Sequence, residues 1–96
     1  MLIGQVIHID RFGNLITDIK REHLPRGRLF IEACGHIIDD LSSSYEEGEE
    51  LLAIMGSSER LEVSIKNGSA ARFLKAKVGD EVKVGINKSS LKGRLR

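Results

Sequence analysis

The residues best suited to chemistry lie in one short segment, at a sharp corner between two strand-like runs. Asp10 brings a carboxylate, Gly13 brings backbone freedom, and Asn14 brings a carboxamide that tolerates left-handed backbone angles. A hairpin corner without any ligand accounts for these residue types. A carboxamide beside a bend also offers a hydrogen-bond donor and an acceptor together, which suits the edge of a purine base. The corner residues alone leave both interpretations open.

Two later segments also carry groups that suit binding. Tyr45 is the only tyrosine and lies in a polar loop, where an aromatic ring contributes little unless it packs or stacks. Gly56, Ser57 and Ser58 directly follow the apolar run Leu51–Met55, so they place small hydroxyls and backbone amides at a strand end. Loops at sheet ends often carry binding groups. Neither segment identifies a ligand by itself.

Patterns for a metal site, a nucleophile elbow or a phosphate loop do not occur in the sequence. His8, His23 and His36 are scattered, without the paired spacing or cysteine companions of a metal site. There is no Gly-x-Ser-x-Gly segment, although a Ser-His-Asp arrangement assembled by the fold stays possible. We therefore expect no metal and no cofactor.

Composition limits the class of protein. With 96 residues, 41% of them hydrophobic, the chain is expected to form one globular domain. We find no apolar run long enough to span a membrane and no secretory signal, and Cys34, as the single cysteine, excludes an internal disulfide. These features predict a cytoplasmic protein. Cys34 itself is expected to be a small buried or half-buried apolar residue.

Charge is uneven along the chain although the formal net charge is only +1. Residues 39–50 carry only acidic charges, whereas residues 88–96 carry only basic ones. We expect a β domain over residues 1–87 and a basic tail over residues 88–96. Such a tail can contact phosphate groups in a salt-dependent way, or it can simply be solvated.

Alternation of apolar and polar residues predicts seven short strands and one short helix. In the first strand, Ile3, Ile7 and Ile9 fall on one side. In the sixth, every second residue from Leu61 to Ile65 is apolar, which places Ser64 on the water-facing side. The predicted strands cover residues 3–9, 15–19, 28–33, 36–41, 51–55, 61–65 and 82–86, with a polar loop over 20–28 and a helix over 70–74 that has Ser69 as its N-cap. This pattern is typical of an all-β fold, a small antiparallel barrel or sandwich.

Four blocks of the chain, taken in order, resemble one known family. The blocks are Ile9–Thr17, Gly56–Val63, Asn67–Ala71 and Val78–Asp80. They are similar to the C-terminal domain of the S-adenosyl-L-methionine hydroxide adenosyltransferases, a family that includes fluorinases and chlorinases. The resemblance extends from about Gly4 to Val84. It implies a small all-β unit, in agreement with the alternation pattern.

The resemblance also implies a reaction and an assembly. In the family, hydroxide or halide attacks the ribose C5′ of S-adenosyl-L-methionine and expels methionine. The pocket lies between the C-terminal domain of one subunit and the N-terminal domain of its neighbour, usually in a trimer. S-adenosyl-L-methionine or adenosine is therefore the expected ligand, as substrate rather than cofactor. A homo-oligomer and an N-terminal-domain partner chain are the expected protein partners.

Carried over residue by residue, the resemblance assigns five binding positions. Asn14 would bond the adenine edge, and Tyr45 would take the place of the aromatic ring that stacks on adenine. Ser57 and the backbone of Ser58 would hold the methionine end. Asn67 would help to recognise adenine through its main chain. An aromatic ring contributes stacking energy of about 1–3 kcal/mol, and unpaired buried groups would then penalise a wrong base.

The chain also departs from the family pattern. It has Asp18 where the family usually has asparagine, and Glu59 and Arg60 where a glycine and an aromatic residue are common. The ribose-binding aspartate and the groups that handle water belong to the family's N-terminal domain, which the 96 residues do not match. No catalytic residue is therefore assigned, and the chain alone is not expected to be active.

Three hypotheses follow from these patterns. The favoured one is an adenosyl-recognising domain, alone or as the C-terminal part of a split S-adenosyl-L-methionine hydrolase. The alternative is a small β-barrel module that binds nucleic acid or protein through its basic tail. Three phenylalanines and one tyrosine are few for nucleic-acid stacking, which disfavours that alternative. The third is a remnant that keeps the fold and an oligomer interface without a ligand site.

Overall fold

The computed structural model describes residues 1–44 and 50–87, so Tyr45 and the predicted basic tail lie outside the described residues. The described part consists mainly of seven β-strands, with one short α-helix and one 3-10 turn at Arg21–His23. The elements are β1 Leu2–Ile9, β2 Leu15–Lys20, β3 Leu29–Ala33, β4 His36–Asp39, β5 Leu51–Met55, β6 Arg60–Ile65, α1 Ala70–Leu74 and β7 Glu81–Ile86. The predicted all-β class with one short helix is confirmed.

All strand pairs are antiparallel, and the strands follow the order β4-β3-β7-β1-β2-β6-β5 across one sheet. The two edges of the sheet approach each other. The N–H of Ser42, just after β4, donates to the carbonyl oxygen of Ala53 in β5 at 2.8 Å. Ser42 also forms a bridge with Ile54. The sheet is therefore a nearly closed barrel, with β5, β6 and β2 side by side.

The interior of the barrel is filled by the apolar positions of the alternating strands. Buried side chains come from every strand and from both ends of α1: Val6, Leu15, Ile19, Leu29, Ile31, Ala33, Ile38, Ala53, Leu61, Val63, Ala70, Leu74, Val82 and Val84. Because successive residues of a strand point to opposite faces, the polar residues that alternate with these core residues lie on the outer face of the barrel. The buried apolar surface stabilises the strands that carry the candidate site.

The first strand does not follow the predicted alternation. Ile3 and Ile7 are exposed, while Val6 is buried and Ile9 packs against the core. The pairing with β2 shifts between Val6 and His8, so a β-bulge reverses which residues face inward. The prediction that Ile3, Ile7 and Ile9 share one side is therefore wrong. A strict two-residue alternation in the sequence cannot predict where an extra residue is inserted into the strand pairing.

Two hydroxyl groups are buried among the strands. Thr17 lies on the inward side of β2, where its Oγ1 donates to the carbonyl oxygen of Leu61 at 2.7 Å and accepts the N–H of Ile19 at 3.1 Å. Ser64 was predicted to face water but is 1% exposed, beside the equally buried Leu52. That prediction is wrong because the face of β6 that carries Ser64 is covered at this position, where its cross-strand partner Leu52 in β5 is buried as well. Within the described ranges, the Ser64 hydroxyl has no hydrogen-bond partner.

These two hydroxyls predict opposite mutational effects. Thr17→Val keeps the shape but leaves a buried carbonyl and a buried N–H without their partner, so we expect the free energy of unfolding to fall by about 1–3 kcal/mol. Ser64→Ala removes a buried hydroxyl that makes no bond, so stability should stay constant or rise. Urea unfolding of both variants measures the difference. If both variants lost the same free energy of unfolding, the hydrogen bonds of Thr17 would make no specific contribution to stability.

The short helix begins as predicted. The Ser69 side chain accepts the N–H of Arg72 at 3.1 Å, which confirms its role as N-cap. The helix ends at Leu74, and its C-cap residue Lys75 adopts left-handed backbone angles. Its first turn is fastened to the β1–β2 corner, because the N–H of Ala71 donates to the carbonyl oxygen of Gly13 at 2.9 Å. The helix thus holds the β1–β2 corner in place through this hydrogen bond.

Cys34 and Gly35 form the predicted turn between β3 and β4. Both have positive φ values, 50° and 82°. Cys34 is exposed, contrary to the expectation that it is buried or half-buried, because the tip of a hairpin points into water. Its thiol donates to Asp80 Oδ2 at 3.7 Å. Desolvation of the thiol by the groups around it, and then the charge of Asp80, raise the pKa of the Cys34 thiol, so it is not an activated nucleophile.

Candidate functional site

The corner between β1 and β2 is held by one aspartate. Asp10 Oδ1 accepts the N–H groups of Phe12 and Asn14, both at 2.9 Å, and Oδ2 accepts the Asn14 side-chain amide at 3.0 Å. Two backbone bonds close the same loop, from the N–H of Gly13 to the Asp10 carbonyl and from the N–H of Asp10 to the Asn14 carbonyl. The Asn14 carboxamide is therefore fixed in orientation before any ligand arrives.

The charge of Asp10 is stabilised by this arrangement. Burial raises the pKa of Asp10, but the hydrogen bonds from Asn14 and Phe12 together outweigh it, so the pKa lies below its usual value. One amide hydrogen of Asn14 is used by Asp10. Its side-chain oxygen accepts no hydrogen bond from any described residue, which leaves that oxygen and the second amide hydrogen available. The combined donor and acceptor expected from the sequence are thus present.

The corner borders a groove of about 500 Å³ that is open to solvent. One wall comes from the corner, and the other comes from β6 and from the end of β5 with the turn that follows it. The lining residues are Asp10, Phe12, Asn14, Ile54, Met55, Gly56, Ser57 and Glu62. The pairing of β2 with β6 and of β6 with β5 brings these distant segments together. The groove is the candidate site.

The predicted site residues are distributed around this groove. Asn14 and Ser57 both line it. Ser58 is exposed in the same turn as Ser57 but does not line the groove. Asn67 is exposed after β6 with φ of 56°, and it also lies outside the lining. The predicted position Tyr45 falls outside the described residues.

Phe12 is a groove residue to which the sequence assigned no role. Its side chain is 70% exposed, and the Arg11 guanidinium carbon lies 5.8 Å from the centre of the ring. An exposed aromatic ring at the rim of a groove offers an apolar face to a ligand. The sequence contained one signal for such a contact, because Phe12 is an apolar ring among the polar residues of the corner.

The turn that carries Ser57 is also well fixed. The N–H of Gly56 donates to the Arg60 carbonyl at 2.9 Å, and the N–H of Glu59 donates to the Gly56 carbonyl at 3.0 Å. Glu59 has φ of 63°, a conformation that glycine adopts most easily, and it stands where the resembling family often has glycine. An exposed ion pair with Arg21, at 2.8 Å, holds Glu59 in place.

Asp18, another departure from the family pattern, has a structural partner. Its Oδ1 accepts the N–H of Gln5 at 2.9 Å, across the β1–β2 pair. A side chain on Gly4 would collide with the same carboxylate. Asp18 does not line the groove. Its carboxylate therefore acts as a hydrogen-bond acceptor for the backbone of β1 near the bulge, and not as a groove residue.

Glu62 brings a second carboxylate into the groove. Its cross-strand neighbours are Ile16 and Ile54, and its carboxylate lies so close to Gly56 that any side chain there would collide with it. No residue in the described part of the chain donates a hydrogen bond to Glu62 or pairs with its charge. Burial, and then the negative charge of Asp10, raise the pKa of Glu62 above its usual value. The groove therefore favours positive charge.

This raised pKa predicts a pH-dependent effect on stability. A carboxyl with a raised pKa in the folded state contributes stability below its unfolded pKa, and this contribution is lost as the pH rises through the folded pKa. We expect the Glu62→Gln variant to unfold at a higher temperature than the wild type at about pH 7, with the difference shrinking toward about pH 3. Thermal unfolding across this range measures it. A pH-independent difference would contradict the prediction.

Residues 1–44 and 50–87 contain no group of three histidine, cysteine, aspartate or glutamate side chains that could hold a metal ion. Over the same ranges, no helix is long and apolar enough to cross a membrane.

Comparison with known proteins gives a family and two similar structures. Residues 4–83 match the sequence model of the SAM hydroxide adenosyltransferase C-terminal domain, where SAM is S-adenosyl-L-methionine. A conserved hypothetical protein from Thermus thermophilus superposes with a TM-score of 0.72 and 34% identity, over 86% of this chain and 32% of that one. An uncharacterized conserved protein from Thermotoga maritima gives 0.71 and 25%, over 85% and 34%. The chain thus spans about a third of the length of these two proteins.

Proposed function

Because the chain belongs to the SAM hydroxide adenosyltransferase family through its C-terminal domain, we propose that its groove recognises the adenosyl group of S-adenosyl-L-methionine. The supporting observation is the Asn14 carboxamide, which lines the groove and is oriented by Asp10. Adenine presents a donor beside an acceptor on its edge, and a carboxamide pairs with both at once. A fixed carboxamide loses little conformational freedom on binding.

The other groove residues would then hold the rest of the ligand. Phe12 provides an apolar surface at the rim, and Ser57 provides a hydroxyl for the methionine end. The backbone of Ser58, in the same turn, would assist Ser57. Tyr45 would stack on adenine, and the main chain of Asn67 would add a second contact to the base. The assignments of Ser57, Ser58, Tyr45 and Asn67 derive from the family pattern.

Hydrolysis is proposed to need an N-terminal domain outside these 96 residues. An open groove covers only part of a ligand, and the two similar proteins are about three times as long as the chain. We propose that the N-terminal domain of a neighbouring subunit, in a trimer, closes the groove. Hydroxide would attack the ribose C5′ of S-adenosyl-L-methionine there and release methionine and adenosine.

Titration of the isotopically labelled chain with adenosine tests the recognition step. We expect saturable shifts in the amide NMR signals of Asn14, Gly56 and Ser57, because these residues face the same groove. Guanosine is the matched control, since its six-membered ring reverses the donor and acceptor that Asn14 would meet. Equal shifts with both nucleosides, or none with adenosine at millimolar concentration, would overturn the proposed recognition.

The catalytic step needs a second experiment. The chain is mixed with a candidate N-terminal domain, and adenosine release from S-adenosyl-L-methionine is followed by chromatography. We expect release only when both parts are present. Release that is the same with and without the chain would show that its groove takes no part in the reaction.

A further inference from the structure

Glu62 is the groove residue whose charge is least compensated. Asp10, the other acid of the groove, accepts three hydrogen bonds from the corner. Glu62 accepts none from the described residues, and its cross-strand neighbours Ile16 and Ile54 are apolar. Its carboxylate nevertheless lines the groove beside Gly56. Barrel formation does not require a carboxylate at this position.

The position of Glu62 within the groove indicates which part of the ligand it would contact. Asn14 lies on one wall and Ser57 on the other, and both border the same groove as Glu62. If adenine lies at Asn14 and the methionine end at Ser57, the ligand atoms between them are the ribose C5′ and the sulfur. In S-adenosyl-L-methionine this sulfur is a sulfonium, which carries a positive charge. No arginine or lysine is among the lining residues of the described chain to oppose that charge.

We infer that Glu62 makes the groove selective for the sulfonium form of the adenosyl ligand over its neutral thioether and over adenosine. This inference rests on the proposed function, because it uses the same groove and the same ligand orientation. A carboxylate attracts a nearby positive charge, and partial burial strengthens the attraction by limiting the screening by water. Asp10, the second negative charge of the groove, acts in the same direction.

The inferred selectivity gives the unpaired carboxylate of Glu62 a function. Burial and the charge of Asp10 both disfavour the ionised form of this side chain, as its raised pKa shows. Groups held in an unfavourable charge state are common at binding sites, where the ligand supplies the missing partner. A bound sulfonium would supply that partner for Glu62.

Binding of three ligands to two variants tests the inference. Calorimetry measures the Kd values of S-adenosyl-L-methionine, S-adenosylhomocysteine and adenosine for wild type, Glu62→Gln and Glu81→Gln. S-adenosylhomocysteine keeps every group except the methyl group and its sulfonium charge. We expect Glu62→Gln to weaken binding of S-adenosyl-L-methionine about tenfold and to leave the other two ligands within about twofold. Glu81→Gln, which removes an exposed charge outside the groove, should change none of them.

A spectroscopic measurement checks the same contact without mutation. The pKa of Glu62, followed by NMR, should fall when S-adenosyl-L-methionine binds and stay raised with S-adenosylhomocysteine. The inference is overturned if Glu62→Gln weakens all ligands equally, or if the pKa of Glu62 responds alike to both compounds. Adenosine binding that persists in either case would keep the proposed function intact. Loss of binding for every ligand in the wild type would instead overturn both.

Discussion

The Asn14→Ala variant is expected to bind adenosine about 10- to 100-fold more weakly than the wild type. The substitution removes the one carboxamide among the described residues that line the groove, and the adenine edge would then enter without its paired donor and acceptor. The corner backbone should survive, because Asp10 still accepts the N–H groups of residues 12 and 14. Calorimetric Kd values for adenosine measure the effect.

The chain offers a matched control for this variant. The side-chain amide of Asn87 donates to Asp39 at 2.8 Å, much as that of Asn14 donates to Asp10 at 3.0 Å. Asn87→Ala therefore removes a bond of the same kind outside the groove lining. We expect similar stabilities for the two variants and normal adenosine binding for Asn87→Ala. If both variants bind adenosine as the wild type does, Asn14 does not contact the base.

Gly13→Ala is expected to give the largest loss of stability, about 3 kcal/mol. Gly13 has φ of 86°, and a Cβ atom there would overlap the side chain of Ser69 and lie 2.9 Å from its Cα. Because the first turn of α1 is bonded to the Gly13 carbonyl, the helix cannot simply move away. For a domain of this size, such a loss lowers the unfolding temperature by about 12–24 °C. Thermal unfolding monitored by circular dichroism measures it.

Gly35→Ala separates the two causes of that loss. Gly35 has nearly the same φ, 82°, but a Cβ atom there would meet no atom within 4 Å. Its variant should lose only the backbone preference, about 1 kcal/mol. The excess loss in Gly13→Ala then measures the contact between the corner and α1. Equal losses for both variants would mean that the corner does not depend on its contact with Ser69.

The strands and the helix start were readable from the sequence because their causes are local. Alternation from Leu15 to Ile19 and from Val82 to Val84 reflects the two-residue period of a strand that has one buried face. Ser69 was identifiable as an N-cap because its hydroxyl bonds a backbone N–H only three residues away. The corner was readable for the same reason, since Asp10 and Asn14 bond within one turn of chain.

Local patterns failed where distant segments determine the outcome. The bulge between Val6 and His8 depends on the pairing with β2, so Ile3 and Ile7 face water despite their apolar side chains. Ser64 is buried although its sequence neighbours suggest a water-facing position. Sequence alternation reports which residues share a side only where the strand is regular, and it does not report what covers that side.

The all-β class and the corner at Asp10–Asn14 could be read from the order of the amino acids because each depends on residue types at short spacing. The family resemblance could be read because it depends on several short blocks in a fixed order along the chain. The folded chain was needed to place Asn14 and Ser57 on one groove and to bring Glu62 between apolar strand neighbours. These placements follow from the pairing of β2 with β6 and β6 with β5. Strand pairing joins residues that are far apart in the chain, and its register is fixed by the packing of the whole core rather than by any local pattern.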